Sequence, residues 1–258
     1  MAVQRQPIRR IKAGPSSGAD VGSWPMTVPA VAQIVQHGLE LPPGVTILVG
    51  ENGAGKSTVI EIIAAVLGLN AEGGSTNTRH QTRSSEPGGL DLVLERSPGA
   101  SKWAYYLRDE TLHGLYTYLE DNPNPKRPEP LYHHLSHGEA LLEILSSRTS
   151  DGGFYLIDEP DAALSFQGTL TLAALLGELV ESGAQAVIAT HSPIIAALPN
   201  ANLLEIGEWG IRASSWEDLD LVSNWQRFLS RPAHVPAPSD LTWNSTPGGL
   251  HGIRQSAG

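Results

Sequence analysis

Apolar residues fall into short runs that alternate with stretches in which they recur at helical spacing. Val45–Val49 follows two prolines and a glycine and predicts a short buried strand. Val59–Leu67 carries its apolar residues on one face and predicts a helix. Phe154–Ile157, Leu170–Val180 and Ala186–Ala189 predict a strand, a helix and a strand. This alternation predicts an α/β fold whose mainly parallel central sheet has helices on both faces.

The middle of the chain follows a different pattern. Leucines occupy every second position of 90–95, and Trp103, Tyr105 and Leu107 occupy every second position of 103–107. This alternation predicts the two strands of an antiparallel β-hairpin. Apolar positions at helical spacing predict an amphipathic helix over 112–119, which the prolines of 121–130 end. We therefore expect a small antiparallel β-hairpin region and a short helical subdomain beside the parallel sheet.

Composition divides the chain into three parts. Residues 1–23 are rich in glycine, serine, proline and charge, which predicts a disordered N-terminal tail. Residues 24–230 contain the predicted domain, whose last helix is expected at 219–229. Residues 231–258 are predicted to form a flexible C-terminal tail. The 258 residues suit one large domain, and a hydrophobic content of 40% is enough for its core.

Charge and cysteine content restrict the function classes. A net charge of −10 argues against broad nucleic-acid binding, which needs a positive field. The four basic residues among the first twelve are either a local basic patch or part of a solvated tail. No apolar run reaches about 18 residues, so we expect no integral membrane segment. The chain has no cysteine, which favours a reducing, cytoplasmic location.

The segment Gly50–Ser57, with sequence GENGAGKS, fits the phosphate-loop pattern G-x-x-x-x-G-K-[ST] between a predicted strand and a predicted helix. Glycines let backbone amides approach phosphate oxygens, and the helix N-terminus adds positive potential. Lys56 suits the β- and γ-phosphates, and the Ser57 hydroxyl suits Mg²⁺. The predicted nucleotide contacts in this segment are Asn52, Gly53, Ala54, Gly55, Lys56, Ser57 and Thr58.

Two neighbouring acids, Asp158 and Glu159, end the apolar run Phe154–Ile157. The carboxyl ends of strands in open α/β sheets face the ligand crevice. We expect Asp158 to hold Mg²⁺ together with Ser57, and Glu159 to orient or deprotonate an attacking water. The alternative is an ordinary charged loop after a buried strand.

Ser136 and Glu139 form a capping-box pattern before an apolar helix. A capped helix N-terminus with the small Gly138 beside it is also a good anion site. Capping and anion binding are compatible. We expect this segment to lie far from the phosphate loop of its own chain, so it makes chemical sense when it is presented to a partner.

The motifs at 50–57, 135–139, 158–165 and 189–192 resemble, in this order, those of the ATP-binding-cassette superfamily. The signature of that superfamily is usually LSGGQ, whereas this chain has LSHGE. LSHGE with DEPDAALS and ATHSP resembles a stand-alone bacterial branch of soluble ATPases that are often labelled AAA family ATPases. The resemblance spans roughly residues 24–230. It extends to the head domains of chromosome-maintenance and break-repair ATPases, but this chain has no room for their coiled coil.

The resemblance implies further roles. His191 resembles the switch histidine that meets the γ-phosphate, and Asp161–Ser165 resembles the loop that crosses the dimer seam. The glutamine switch of the superfamily has no clear equivalent: Glu110 is one candidate, and helix capping by Asp109 is the alternative role of that segment. Trp24 is placed either to stack on adenine or to pack in the core.

The sequence therefore predicts an ABC-type P-loop NTPase that binds and hydrolyses ATP with Mg²⁺. The resemblance implies that two chains sandwich two ATP molecules, and that the partner's Ser136 and the partner's Gly138 complete each site. The alternative is a nucleotide-gated binding module that recruits a protein or nucleic acid and hydrolyses ATP slowly. The sequence does not identify the biological partner.

Overall fold

The computed structural model describes residues 6–15, 22–70, 73–76, 90–123, 130–148 and 153–232, and the backbone of two short strands beyond them. The strands are β1 (Arg10–Ala13), β2 (Leu39–Glu40), β3 (Val45–Val49), β4 (Gly74–Ser75), β5 (Leu92–Glu95), β6 (Ala104–Arg108), β7 (Phe154–Asp158), β8 (Gln185–Thr190), β9 (Asn202–Gly207), β10 (Gly210–Ser214), β11 (Leu241–Trp243) and β12 (Ile253–Gln255). The α-helices are α1 (Pro29–His37), α2 (Lys56–Leu67), α3 (Leu112–Asp121), α4 (His137–Arg148), α5 (Phe166–Glu181), α6 (Pro193–Ala196) and α7 (Asp220–Ser230).

A seven-stranded sheet with the order β10-β9-β3-β8-β7-β6-β4 forms the centre of the fold. The inner pairs β9–β3, β3–β8, β8–β7 and β7–β6 are parallel, and the edge strands β10 and β4 are antiparallel to their neighbours. The predicted mainly parallel α/β sheet is therefore confirmed. Parallel pairing brings the carboxyl ends of β3, β7 and β8 to one edge of the sheet.

Alternate side chains of the central strands fill two separate cores. In β3, Ile47 and Val49 pack with α4, α5 and the helices near them, whereas Leu48 packs with α1 and α2 on the opposite face. In β7, Tyr155 faces the first core and Phe154 faces the second. Burial on both faces explains why these strands are nearly continuous apolar runs.

The hairpin expected between residues 90 and 108 is wrong, although both of its strands exist. β5 pairs with β1 in a separate antiparallel sheet with the order β2-β1-β5, and β6 pairs with β4 and β7 in the central sheet. The reason is burial. The first four residues of β6 are buried on both faces, whereas β5 exposes Val93, as a half-covered strand does.

The disordered tail predicted for residues 1–23 is wrong for β1. Ile8 and Ile11 are fully buried in the second core. The buried Gln185 side chain accepts a bond from the Ile8 amide at 3.0 Å and donates to the Ile8 and Leu41 carbonyls at 2.8 and 3.1 Å. These bonds join the three-stranded sheet to β8. The predicted C-terminal tail, 231–258, lies mostly outside the described residues, except for residues 231–232 and the paired backbones of β11 and β12.

The helices predicted at 112–119 and 219–229 correspond to α3 and α7. Among the helices of the described residues, none combines the length and apolar character that crossing a membrane requires.

Candidate functional site

The loop between β3 and α2 lies so close to its neighbours that several of its positions accept only glycine. A Cβ atom at Gly50 would clash with the carbonyl oxygen of Ile206, and one at Gly55 would clash with Val28. Gly55 also has a φ of 102°, in the left-handed region that favours glycine. The loop therefore exposes backbone amides at the start of α2, which is the arrangement that binds phosphate.

Lys56 begins α2 and is almost fully buried at 3% exposure. Its ammonium donates to the carbonyls of Gly50 at 3.0 Å and Glu51 at 3.2 Å, and its Nζ lies 2.8 Å from His191 Nε2. Burial lowers the pKa of Lys56, and the nearby carboxylates, first of them Glu159, oppose that shift. The loop thus holds a buried ammonium group. A bound polyphosphate would offset the free-energy cost of removing that group from water.

Asp158 ends β7 and is 4% exposed. The Ser57 hydroxyl donates to its Oδ1 at 3.2 Å. Burial raises the pKa of Asp158 to about 6, although Arg108 favours its charged form. A buried carboxylate with a raised pKa beside a hydroxyl oxygen is a place where a hard divalent cation would be favourable.

Glu159 follows with a φ of 50°, which is uncommon for a residue other than glycine. Its backbone amide donates to the Ala189 carbonyl of β8 at 2.9 Å, which holds the turn in place. Its Oε1 lies 3.2 Å from His191 Nε2. The turn therefore directs the carboxylate toward the end of β8 rather than along the axis of β7.

His191 follows β8 directly and joins the lysine to the acid. Burial, followed by the charge of Lys56, lowers the pKa of His191. An ammonium can only donate, so Nε2 accepts from Lys56 when the imidazole is neutral with its proton on Nδ1. The neutral ring that the lowered pKa favours is then held by Lys56, with Glu159 Oε1 3.2 Å from the same nitrogen.

Residues 135–139, called the signature segment from here on, lie at the start of α4 and form a reciprocal capping box. The Ser136 amide and hydroxyl donate to Glu139 Oε2 at 2.9 and 2.6 Å, and the Glu139 amide contacts the Ser136 hydroxyl oxygen at 3.4 Å. Both residues are exposed. The capping interpretation is confirmed, and it leaves the start of the helix open to solvent.

Gly138 packs against the segment Asp161–Ser165. A Cβ atom on Gly138 would lie 2.8 Å from Leu164 Cδ2 and 3.2 Å from the Ala163 carbonyl oxygen. Asp161 in turn accepts a short hydrogen bond from the Thr190 hydroxyl, and burial raises the pKa of Asp161. The small residue therefore allows the signature segment to contact the chain that follows the acid pair.

Comparison with known proteins agrees with this geometry. A family model described as an AAA domain matches residues 33–95. The ribose import ATP-binding protein RbsA of Geobacillus kaustophilus (strain HTA426) is 25% identical over 62% of this chain, which corresponds to 37% of its own length. The cytochrome c biogenesis ATP-binding export protein CcmA of Paracoccus denitrificans (strain Pd 1222) is 27% identical over 64% of this chain and 76% of its own. These distant matches support an ATPase of the ATP-binding-cassette type.

Among solved structures, the SMC head domain from Thermotoga maritima is 17% identical to this chain. The match covers 69% of this chain and 92% of the SMC head domain chain. Its TM-score of 0.41 is too low to carry an argument. The stand-alone bacterial branch, and LSHGE as its signature, stay predictions.

At the end of β6 and just after it, side chains contact residues that are distant along the chain. Asp109 does not cap α3, because its Oδ1 lies 2.9 Å from His137 Nε2. Glu110 is 76% exposed and pairs with Arg108 at 2.8 Å, and its role as the glutamine-switch equivalent stays a prediction. Arg108 also bonds Glu61 of α2 at 2.7 Å. Sequence reasoning missed the Asp109–His137 and Arg108–Glu61 pairs, since no periodicity connects residues that distant along the chain.

Trp24 is 49% exposed, so the alternative of core packing is wrong for this side chain. Its stacking on adenine stays a prediction.

Proposed function

We propose that this chain binds and hydrolyses Mg·ATP, and that it does so as a homodimer with ATP at the seam. The observation that carries the proposal is the meeting of Lys56, Asp158 and His191, from three separate segments, at the carboxyl ends of β3, β7 and β8. Glu159 lies beside them. A cation, a metal-binding carboxylate, a general base and a polar sensor are the groups that phosphoryl transfer to water needs.

The residues present fit a magnesium ion. Ser57 and Asp158 offer two oxygen ligands 3.2 Å apart, one of them a buried carboxylate. Within the described part of the chain, no group of three or more histidine, cysteine or acidic residues could hold a metal by itself. That suits Mg²⁺, which keeps several waters and shares its coordination with substrate phosphates. When bound, Mg²⁺ would neutralise charge on the phosphate oxygens and orient them.

The side chains divide the remaining work. Lys56 would exchange its carbonyl partners for β- and γ-phosphate oxygens, and the loop amides would hold the rest of the chain of phosphates. Glu159 would accept a proton at Oε1 from the water that attacks the γ-phosphorus. His191, whose Nε2 lies 2.8 Å from Lys56 Nζ, would turn toward the γ-phosphate and contact it.

The dimer supplies what one chain lacks. The exposed start of α4, with Ser136 and Gly138, has the helix N-terminus and small side chain that suit an anion. We propose that it contacts the γ-phosphate bound by the other chain. A cytoplasmic location is also proposed, and it is supported by the absence of cysteine.

Steady-state turnover tests the proposal against the binding-module alternative. Purified full-length protein should release phosphate from ATP in the presence of Mg²⁺, and its rate per chain should rise with protein concentration as dimers form. Tight ATP binding without measurable phosphate release, at any protein concentration, would favour the nucleotide-gated module instead.

A further inference from the structure

The start of α4 is tied to the segment that follows β6. His137 Nε2 lies 2.9 Å from Asp109 Oδ1, and the Asp109 side chain is mostly buried at 22% exposure. The Tyr116 hydroxyl donates to the His137 carbonyl at 3.3 Å, and its ring meets the imidazole edge-on. Two residues of 109–121 therefore hold one residue of the signature segment by its side chain and its backbone.

The Asp109 side of this contact lies next to the proposed ATP site. β6 and β7 run parallel with Arg108 in register beside Asp158, so Asp109 lies one residue beyond the buried carboxylate. The Arg108 guanidinium bonds Glu61 of α2 at 2.7 Å, with both side chains 19% exposed. The chain that carries Asp109 is thus anchored to the helix that begins with Lys56 and to the strand that ends with Asp158.

The opposite side of the α4 start is held from β7. Gly138 packs on Leu164, which lies six residues beyond Asp158. The segments that follow β6 and β7 therefore contact two successive residues of the signature segment, His137 and Gly138. A shift of either strand end on nucleotide binding would move the start of α4. Of the two contacts described here, the one at His137 is a polar side-chain pair and the one at Gly138 is apolar packing.

We propose that Asp109 and His137 are positioning residues that set the orientation of the signature segment relative to the ATP site, which rests on the function proposed above. His137 supplies the side chain that reaches Asp109 from the start of α4. A residue without a side chain could not reach Asp109. Asp109 bonds His137 rather than capping α3, and Glu110 bonds Arg108 and is not part of the Asp109–His137 pair.

A double-mutant cycle tests the proposal. Asp109→Ala and His137→Ala should each lower kcat about 10-fold, with ATP affinity of the isolated chain changed less than about 2-fold. The double variant should be no slower than either single variant, because each change removes the same pair. Asp109→Asn keeps an acceptor oxygen and should recover most of the rate.

Exposed acidic residues on α3 and α4 provide matched controls. Asp121→Ala at the end of α3 and Glu143→Ala on α4 should leave kcat unchanged. Losses that multiply in the double variant to about 100-fold, or equal losses in ATP affinity and kcat, would overturn the proposal.

A second measurement needs no nucleotide. Amide hydrogen exchange over residues 135–148 should be about 5-fold faster in Asp109→Ala and His137→Ala than in the wild-type protein, and unchanged in Asp121→Ala. Unchanged exchange in all three variants would contradict the tie. If the wild-type protein bound no ATP while exchange still responded to Asp109→Ala, the proposed function would fail and the tie would stand.

Discussion

The two halves of the candidate site are built in opposite ways. At the strand ends, Lys56 and Asp158 are 3% and 4% exposed. Each contacts a side chain of the same chain, His191 for Lys56 and Ser57 for Asp158. At the start of α4, Ser136 and Glu139 are exposed, and among the described contacts the side chain of each bonds only the other residue. The first half is a buried cluster of charges, and the second is a solvent-facing helix N-terminus.

This difference shows how each half can be used. Buried ionisable groups keep perturbed pKa values until a ligand of opposite charge arrives, so the strand-end cluster is prepared for phosphate and cation. An exposed helix start binds an anion weakly in water, and the interaction strengthens when a second surface excludes water from it. The contrast is therefore what we expect of two half-sites that are completed by dimerisation.

The largest expected effect comes from removing the buried cation. Lys56→Ala should weaken ATP binding by about 100-fold or more, because the phosphates lose a desolvated, charge-assisted donor. Nucleotide titration by calorimetry measures this. Lys102→Ala, which removes an exposed lysine, is the matched control and should leave affinity unchanged. Undiminished affinity in Lys56→Ala would remove the phosphate-loop assignment.

Metal removal should be the next largest effect. Phosphate release should fall to background in excess chelator and return when Mg²⁺ is added, because Ser57 and Asp158 supply only part of a coordination shell. Asp158→Asn should raise the Mg²⁺ concentration needed for half-maximal rate. Full turnover in chelator would show that the Ser57–Asp158 pair has another purpose.

Much of the first half could be predicted from sequence because its signals are local. The pattern around Lys56 and the acids after Phe154–Ile157 each lie within eight residues, and β3 and β7 were visible as apolar runs. The β-hairpin was wrong because alternation in 103–107 masked a run that is apolar throughout and buried on both faces. The ordered structure of β1 and the Asp109–His137 pair both depend on contacts between segments that are distant along the chain. A pattern within one short stretch of sequence does not reveal such contacts.

A smaller effect distinguishes two helical glycines. Gly138→Ala should lower the rate several-fold and destabilise the protein by about 1 kcal/mol, because Leu164 must move. Gly177→Ala on α5 meets nothing within 4 Å and should stabilise it by about 0.5–1 kcal/mol. Chemical denaturation and phosphate release measure both. Equal shifts of the same sign would mean that contact with Leu164 does not constrain Gly138.

The smallest effect concerns the capping box. Ser136→Ala should cost about 1 kcal/mol of unfolding free energy, because the Glu139 carboxylate and amide lose their hydroxyl partner. Glu139→Gln keeps an acceptor for the Ser136 amide and should cost less. Thermal unfolding of the two variants makes the comparison, and a larger loss in Glu139→Gln would contradict the roles given to the two side chains.

The measurement that tests the sandwich most directly is the mass of Glu159→Gln by light scattering, with and without Mg·ATP. The change keeps the size of the side chain but removes the proton acceptor, so ATP should bind and remain uncleaved between two chains. We predict a monomer without nucleotide and a dimer at saturating Mg·ATP. Adding Ser136→Arg should abolish the dimer without a comparable loss of ATP binding, because a bulky side chain would block the seam. A Glu159→Gln protein that binds ATP and stays monomeric at high concentration would contradict the account.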